Sequence, residues 1–177
     1  MINRKPRSVY LTLFVAMVGL MAPLAAAPQT RLPQGDARLL RLESLLLDHV
    51  NETRLEYGLK PLTWDATLAD VARAHSAEMR DKQYFAHESP TPGLKTPLDR
   101  YLAAGQKTPR LIAENIFRSW GSRHEISERD AERAHNALMK SPGHRANILL
   151  PNVSLIGIGF VADENGDLWV TQMFLRP

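Results

Sequence analysis

The sequence predicts an α+β domain, with helices first and antiparallel strands closing the chain. Three observations predict it. Apolar residues recur at helical spacing from Leu39 to Met79. Two β-rich runs, Leu155–Ala162 and Leu168–Phe174, end the chain, joined by Asp163-Glu164-Asn165-Gly166-Asp167 with the Asn-Gly pair of a hairpin. No regular strand–helix alternation lies between, which argues against a parallel βαβ fold.

The first helix is predicted from Asp36 to about Tyr57, its apolar face made by Leu39, Leu42, Leu46 and Val50 and its end set by Gly58. A second runs from near Asp65 to Lys82, with Leu68, Val71, Ala72, His75 and Met79 on one face. Thr96-Pro97-Leu98-Asp99 combines a cap residue with Pro in the first turn and opens a short helix closed by Gly105. Leu111 to Phe117 reads as a further strand. Ser127-Glu128-Arg129-Asp130 opens a helix to Lys140, and Ser141 is expected to cap one more segment, with Pro142 at its first position.

Composition bounds the function. The chain has 177 residues, 44% of them hydrophobic, enough for one domain with a core of its own. The absence of cysteine excludes a disulfide framework, thiolate metal sites and a cysteine nucleophile, so a metal must be held by His, Asp or Glu. Arg4, Lys5 and Arg7 precede an apolar run from Val9 to Leu20, followed by Ala25, Ala26 and Ala27. This is the pattern of a secretory signal peptide over residues 1–27, and an uncleaved anchor is the other reading. Residues 28–35 are expected to form a mobile leader, and residues 36–177 the domain. Removing 1–27 takes away three basic residues and no acidic one, leaving 19 of each charge. The mature chain is therefore expected to be exported, periplasmic or secreted, with no integral membrane span and no nucleic-acid partner.

Familiar catalytic motifs are missing. Gly157-Ile158-Gly159-Phe160-Val161-Ala162 matches a loose dinucleotide fingerprint but leads into a strand, so no nucleotide cofactor is expected. No Gly-x-Ser-x-Gly, Ser-x-x-Lys, P-loop or His-Glu-x-x-His is present. Of six histidines, His75 on its apolar face is read as a hydrogen-bonded core residue, and His49, His124 and His135 as surface residues. His87 and His144 lie at element ends, where a ring nitrogen can face a cleft. Glu114 sits inside the apolar stretch Leu111–Phe117 and needs a polar, positive or metallic partner. Spacing alone leaves open one shared His87–Glu114–His144 site or three separate capping and packing roles.

The motifs in order resemble the CAP superfamily of cysteine-rich secretory, antigen 5 and plant pathogenesis-related proteins, and within it the short cysteine-free bacterial members. They are His49-Val50-Asn51-Glu52-Thr53-Arg54, Leu62-Thr63-Trp64-Asp65, Phe85-Ala86-His87, Ala113-Glu114-Asn115-Ile116, Ser141-Pro142-Gly143-His144-Arg145-Ala146-Asn147 and Gly157-Ile158-Gly159. The resemblance implies a single-domain α–β–α sandwich with a central antiparallel sheet and a large cleft. It also implies a ligand cleft at His87, Glu114, Asn115 and His144, with His87 and His144 able to bind zinc or another divalent metal. The family's second cleft Glu has no counterpart in Asn136–Ser141, Leu138 stands where a Trp is common, and Ala113 replaces a Gly.

Three functions compete on this reading. The leading one is an exported binding module for a lipid, sterol, other hydrophobic small molecule or peptide, with a His-based metal site. Phe85, Phe117 and Trp120 are either ligand contacts or core. The second is a zinc-dependent hydrolase of peptides or envelope polymers, with Glu114 as general base. The third is a structural or interaction protein with a vestigial site. Catalysis is not the favoured expectation, because one carboxylate would serve as both ligand and base.

Overall fold

The computed structural model describes residues 36–120 and 125–177. The signal-peptide and leader assignments, and His124, lie outside the described residues. Local sequence sets the helix starts. Asp36 caps α1 (Ala37–Glu56) by accepting from the Arg38 amide at 3.0 Å. Asp65 does the same for α2 (Ala66–Asp81), through the Leu68 amide at 2.8 Å. A reciprocal Thr96–Asp99 capping box with Pro97 in the first turn opens α3 (Pro97–Ala103). The remaining helices are α4 (Arg129–Lys140) and α5 (Pro142–Ile148). Ser141 does not cap α5 with its side chain, contrary to expectation; its carbonyl instead accepts from the Arg145 amide at 2.9 Å.

Four strands make one sheet: β1 (Thr63–Trp64), β2 (Leu111–Ser119), β3 (Leu155–Ala162) and β4 (Leu168–Arg176), in the order β1-β3-β4-β2. The β3–β4 hairpin and the β2–β4 pair are antiparallel, as expected. The two-residue β1 was not anticipated. It adds a parallel edge to β3, with the Asp65 amide donating to the Ile156 carbonyl at 2.9 Å. So short a strand carries no periodicity to read.

Side-chain alternation sorts the two faces. Ile156, Ile158 and Phe160 of β3, with Leu168, Val170 and Phe174 of β4, pack against Leu42, Leu46 and Val50 of α1 and Ala131, Ala134 and Leu138 of α4. The opposite face of β4, through Met173 and Leu175, meets Leu68, Val71 and Ala72 of α2, and Tyr101 of α3. On that face β3 offers Gly157 and Gly159, so α2 lies with its backbone directly on the strand. The result is the layered α–β–α arrangement the resemblance implied. Among the described residues no helix is long and apolar enough to cross a membrane.

Candidate functional site

The site is built around β2, an edge strand. Glu114 pairs across the sheet with Met173 and Asn115 with Gln172, so the two neighbours point to opposite faces. Each reaches one of the two histidines. On the α2 side, Glu114 accepts from His87 Nδ1 at 2.9 Å and from Arg100 Nη2 at 2.5 Å. On the other side, Asn115 Nδ2 donates to the His144 carbonyl and to Gln172 Oε1, both at 3.1 Å. Asn147, three residues after His144, donates to the Glu114 carbonyl at 3.1 Å and to Asn115 Oδ1 at 2.9 Å, fastening α5 to the strand. The His87 and His144 rings thereby come together, centroids 6.4 Å apart. The Glu-Asn pair thus serves the His87 loop on one face and α5 on the other.

The structure therefore brings His87, Glu114, Asn115 and His144 to one place, with different duties. The Glu114 side chain is 2% exposed and the Asn115 residue 0%, whereas the His87 side chain is 48% exposed. Glu114 and Asn115 support the site from beneath, and the imidazoles face outward. His144 is held below its ordinary value, first by burial and then by the neighbouring His87, which keeps its ring neutral and able to donate a lone pair. Because His87 Nδ1 is engaged by Glu114, Nε2 is its remaining nitrogen.

Arg100 was not singled out from the sequence. Beyond Glu114, its Nη1 donates to the carbonyls of His87, Leu94 and Lys95, so one guanidinium shapes the loop that carries His87. A charged residue next to Tyr101 on the buried side of a short helix was the available signal. Glu78 anchors the same loop. It accepts from Tyr84 at 2.7 Å, Ser89 at 2.9 Å, Lys82 at 2.8 Å and Thr91, and these bonds hold it down to about 2 against the opposing effect of burial. His75 is the buried, hydrogen-bonded core residue expected, paired with the Ala86 carbonyl at 3.2 Å. Its Nε2 also lies 3.8 Å from Glu114. Of the three aromatics, Phe85 is 43% and Trp120 65% exposed, while Phe117 packs on the main core; Trp120 stacks on Arg118 at 4.2 Å.

Comparison with known proteins turns on residues 47–174, which match the model of the CAP, cysteine-rich secretory protein family. The chain belongs to the CAP family. It is 36% identical over 154 residues to the Bacillus subtilis protein YkwD, covering 87% of this chain and 54% of that one. It is 31% identical to the Bacillus subtilis membrane protein YlbC, covering 76% and 34%. The chain thus spans about half or less of these curated relatives. Among solved structures, an extracellular SCP-domain protein of Bacillus anthracis superposes with TM-score 0.64 at 33% identity, over 78% of this chain and 41% of that chain. An outer surface protein of Borrelia burgdorferi, 18% identical, shares the fold with TM-score 0.65 over 77% of this chain and 92% of that one.

A CAP domain implies a divalent ion at its histidines, and the donors here admit one only in part. The hydrogen bond from His87 Nδ1 to Glu114 is the carboxylate–histidine arrangement that fixes a metal-binding tautomer. Among the described residues no third ligand accompanies the pair, because Glu114 is committed to Arg100 and His87. Among the described residues no group of three or more His, Asp or Glu is placed to hold an ion. The donor set suits a weakly held, exchangeable ion completed by water, not a closed structural zinc.

The other histidines of this CAP domain need correction. His135 is 7% exposed, not a surface residue, and His49 is half-buried and stacks on it at 5.7 Å between α1 and α4. His135 Nε2 pairs with the Thr53 hydroxyl at 2.8 Å, and its buried Nδ1 has no partner. Burial, reinforced by His49, lowers its pKa to about 4. The unfolded chain takes up this proton near pH 6.5, whereas the folded protein refuses it until about pH 4. Stability contributed by neutral His135 is complete above the unfolded value and is lost as pH falls through that window, by at most about 3 kcal/mol. Urea unfolding of the wild type should weaken between about pH 7 and about pH 4.5 by more than that of His135→Gln. Equal losses in the two proteins would refute this assignment.

Proposed function

We propose that this CAP domain is an exported ligand-binding module whose His87–His144 pair anchors an exchangeable divalent cation or a polar ligand group. One observation carries the reading: Glu114 is spent on His87 Nδ1 and Arg100, so two imidazoles, not a carboxylate, present the site's open functionality. The same observation weighs against the hydrolase reading. A carboxylate 2% exposed with an oxygen 2.5 Å from a guanidinium is poorly placed for activating water. Glu114 instead orients His87. The extracellular character of the Bacillus anthracis relative agrees with export. The ligand would be a peptide or small hydrophobic molecule reaching the rings past Phe85, exposed two residues before His87.

Calorimetric titration of zinc into the wild type and into His87→Ala/His144→Ala tests this at about pH 7.5 and about pH 5.5. Binding by the wild type alone, weaker at the lower pH because protons compete for the imidazoles, is the expected result. Identical traces from the two proteins would end the metal-anchor reading.

A further inference from the structure

A cavity of about 650 Å³ lies along α2, with Leu94, Arg100 and Ala104 completing its wall. Its size is that of small-organic-ligand sites, roughly 300–1,000 Å³. The body of the cavity is apolar: Val71, Ala74 and Ala77 of α2 face Leu94 and Ala104. Its charges are selective. Three carboxylates line it, from Asp70, Glu78 and Asp81, with two cations, Lys82 and Arg100. Both cations are already committed, Lys82 to Glu78 at 2.8 Å and Arg100 to Glu114 at 2.5 Å. An anionic ligand entering would meet carboxylates and no uncommitted cation.

Asp70 breaks the balance further. It bonds Arg73 Nη1 at 2.7 Å, but the same guanidinium also holds the buried Glu43 carboxylate through Nε at 2.8 Å and Nη2 at 2.5 Å. One positive charge serves two carboxylates, so a negative charge remains at the cavity mouth, where the Asp70 side chain is 44% exposed. We propose that this cavity binds an organic cation with an apolar body, its ammonium head at Asp70 and its hydrocarbon against Val71, Ala74, Leu94 and Ala104. Neither His87 nor His144 lines this cavity, so the proposed site is distinct from the histidine pair.

The test is titration of decyltrimethylammonium, below its micelle concentration, into the whole chain, followed by amide NMR and calorimetry. Sodium decyl sulfate and decyl maltoside serve as anionic and neutral controls of equal chain length. Saturable binding of the cation with shifts centred on Val71, Ala74 and Ala104 is expected, at least about tenfold tighter than either control. Ala74→Trp, at an exposed helix position, should fill the cavity and weaken binding by at least about tenfold. Should that variant fail to fold, Ala104→Trp makes the same test from the opposite wall. Asp70→Asn should abolish the preference for the cation over the maltoside, whereas His87→Ala/His144→Ala should bind as wild type. Equal or tighter binding of the sulfate or maltoside, or unchanged binding in the cavity-filling variant, would overturn the proposal.

Discussion

Gly159→Ala is expected to leave the domain unfolded or barely folded, and Gly157→Ala to do the same. A Cβ at Gly159 would overlap the backbone of Ala72 and Arg73, and one at Gly157 the backbone of Leu68 and Ala69. These are main-chain atoms inside α2 and cannot rotate aside. Relief would require lifting α2 off the sheet and opening the contacts of Leu68, Val71 and Ala72 with Met173 and Leu175. The cost should exceed about 4 kcal/mol, the extreme of single substitutions and a large share of a domain's total stability. Gly143→Ala is the control, because a Cβ there meets nothing within 4 Å and the site lies in α5. It should be neutral or stabilising by about 0.5–1 kcal/mol. Urea midpoints of the three variants decide the matter; a Gly159→Ala protein within about 1 kcal/mol of wild type would contradict the close approach.

Arg54→Met should be the next most damaging change, costing about 3–5 kcal/mol. Arg54 is 1% exposed, and its guanidinium donates to three carbonyls: Lys60 at 2.9 Å, Ile148 at 2.7 Å and Leu150 at 2.9 Å. Methionine fills similar volume but leaves those acceptors buried without a donor. Its neighbour in the motif works alike: Asn51 exchanges two hydrogen bonds with the backbone of Leu62, at 3.1 and 2.7 Å. Denaturant unfolding measures the loss. Because Arg54 holds the C-terminal end of α5, the Leu149 amide, which donates to the Arg145 carbonyl at 3.0 Å, should also exchange faster with solvent in the variant. A variant as stable as wild type would show that the three carbonyls find other partners.

These two sites show what the sequence made legible. The helices were readable because their apolar stripes and caps are local: Thr96 with Asp99, or Asp65 with the amide of Leu68. The β3–β4 hairpin followed from its alternation and its Asn-Gly turn. His87, Glu114 and His144 stood out because polar groups at element ends or inside an apolar strand demand partners. The pairing of each was not legible. Arg100 reaches Glu114 from another element, and β1 is defined by its pairing with β3. His135 looked exposed because its sequence neighbours are polar, yet the face it occupies turns toward α1, where His49 covers it. The Gly-x-Gly of β3 was readable as strand, but its use in seating a helix backbone depends on which face α2 occupies.

The strand order has a consequence for how the domain comes into being. β4 follows the other described elements in sequence and is also an inner strand, hydrogen-bonded on both sides to β2 and β3. Until Arg176 emerges, β2 has no neighbour, and the two helical layers have no complete sheet to close on. A nascent chain therefore holds no partly finished version of this domain worth keeping. Folding begins in earnest only when β4 arrives, and deleting a few of its residues should leave a chain for proteases to clear.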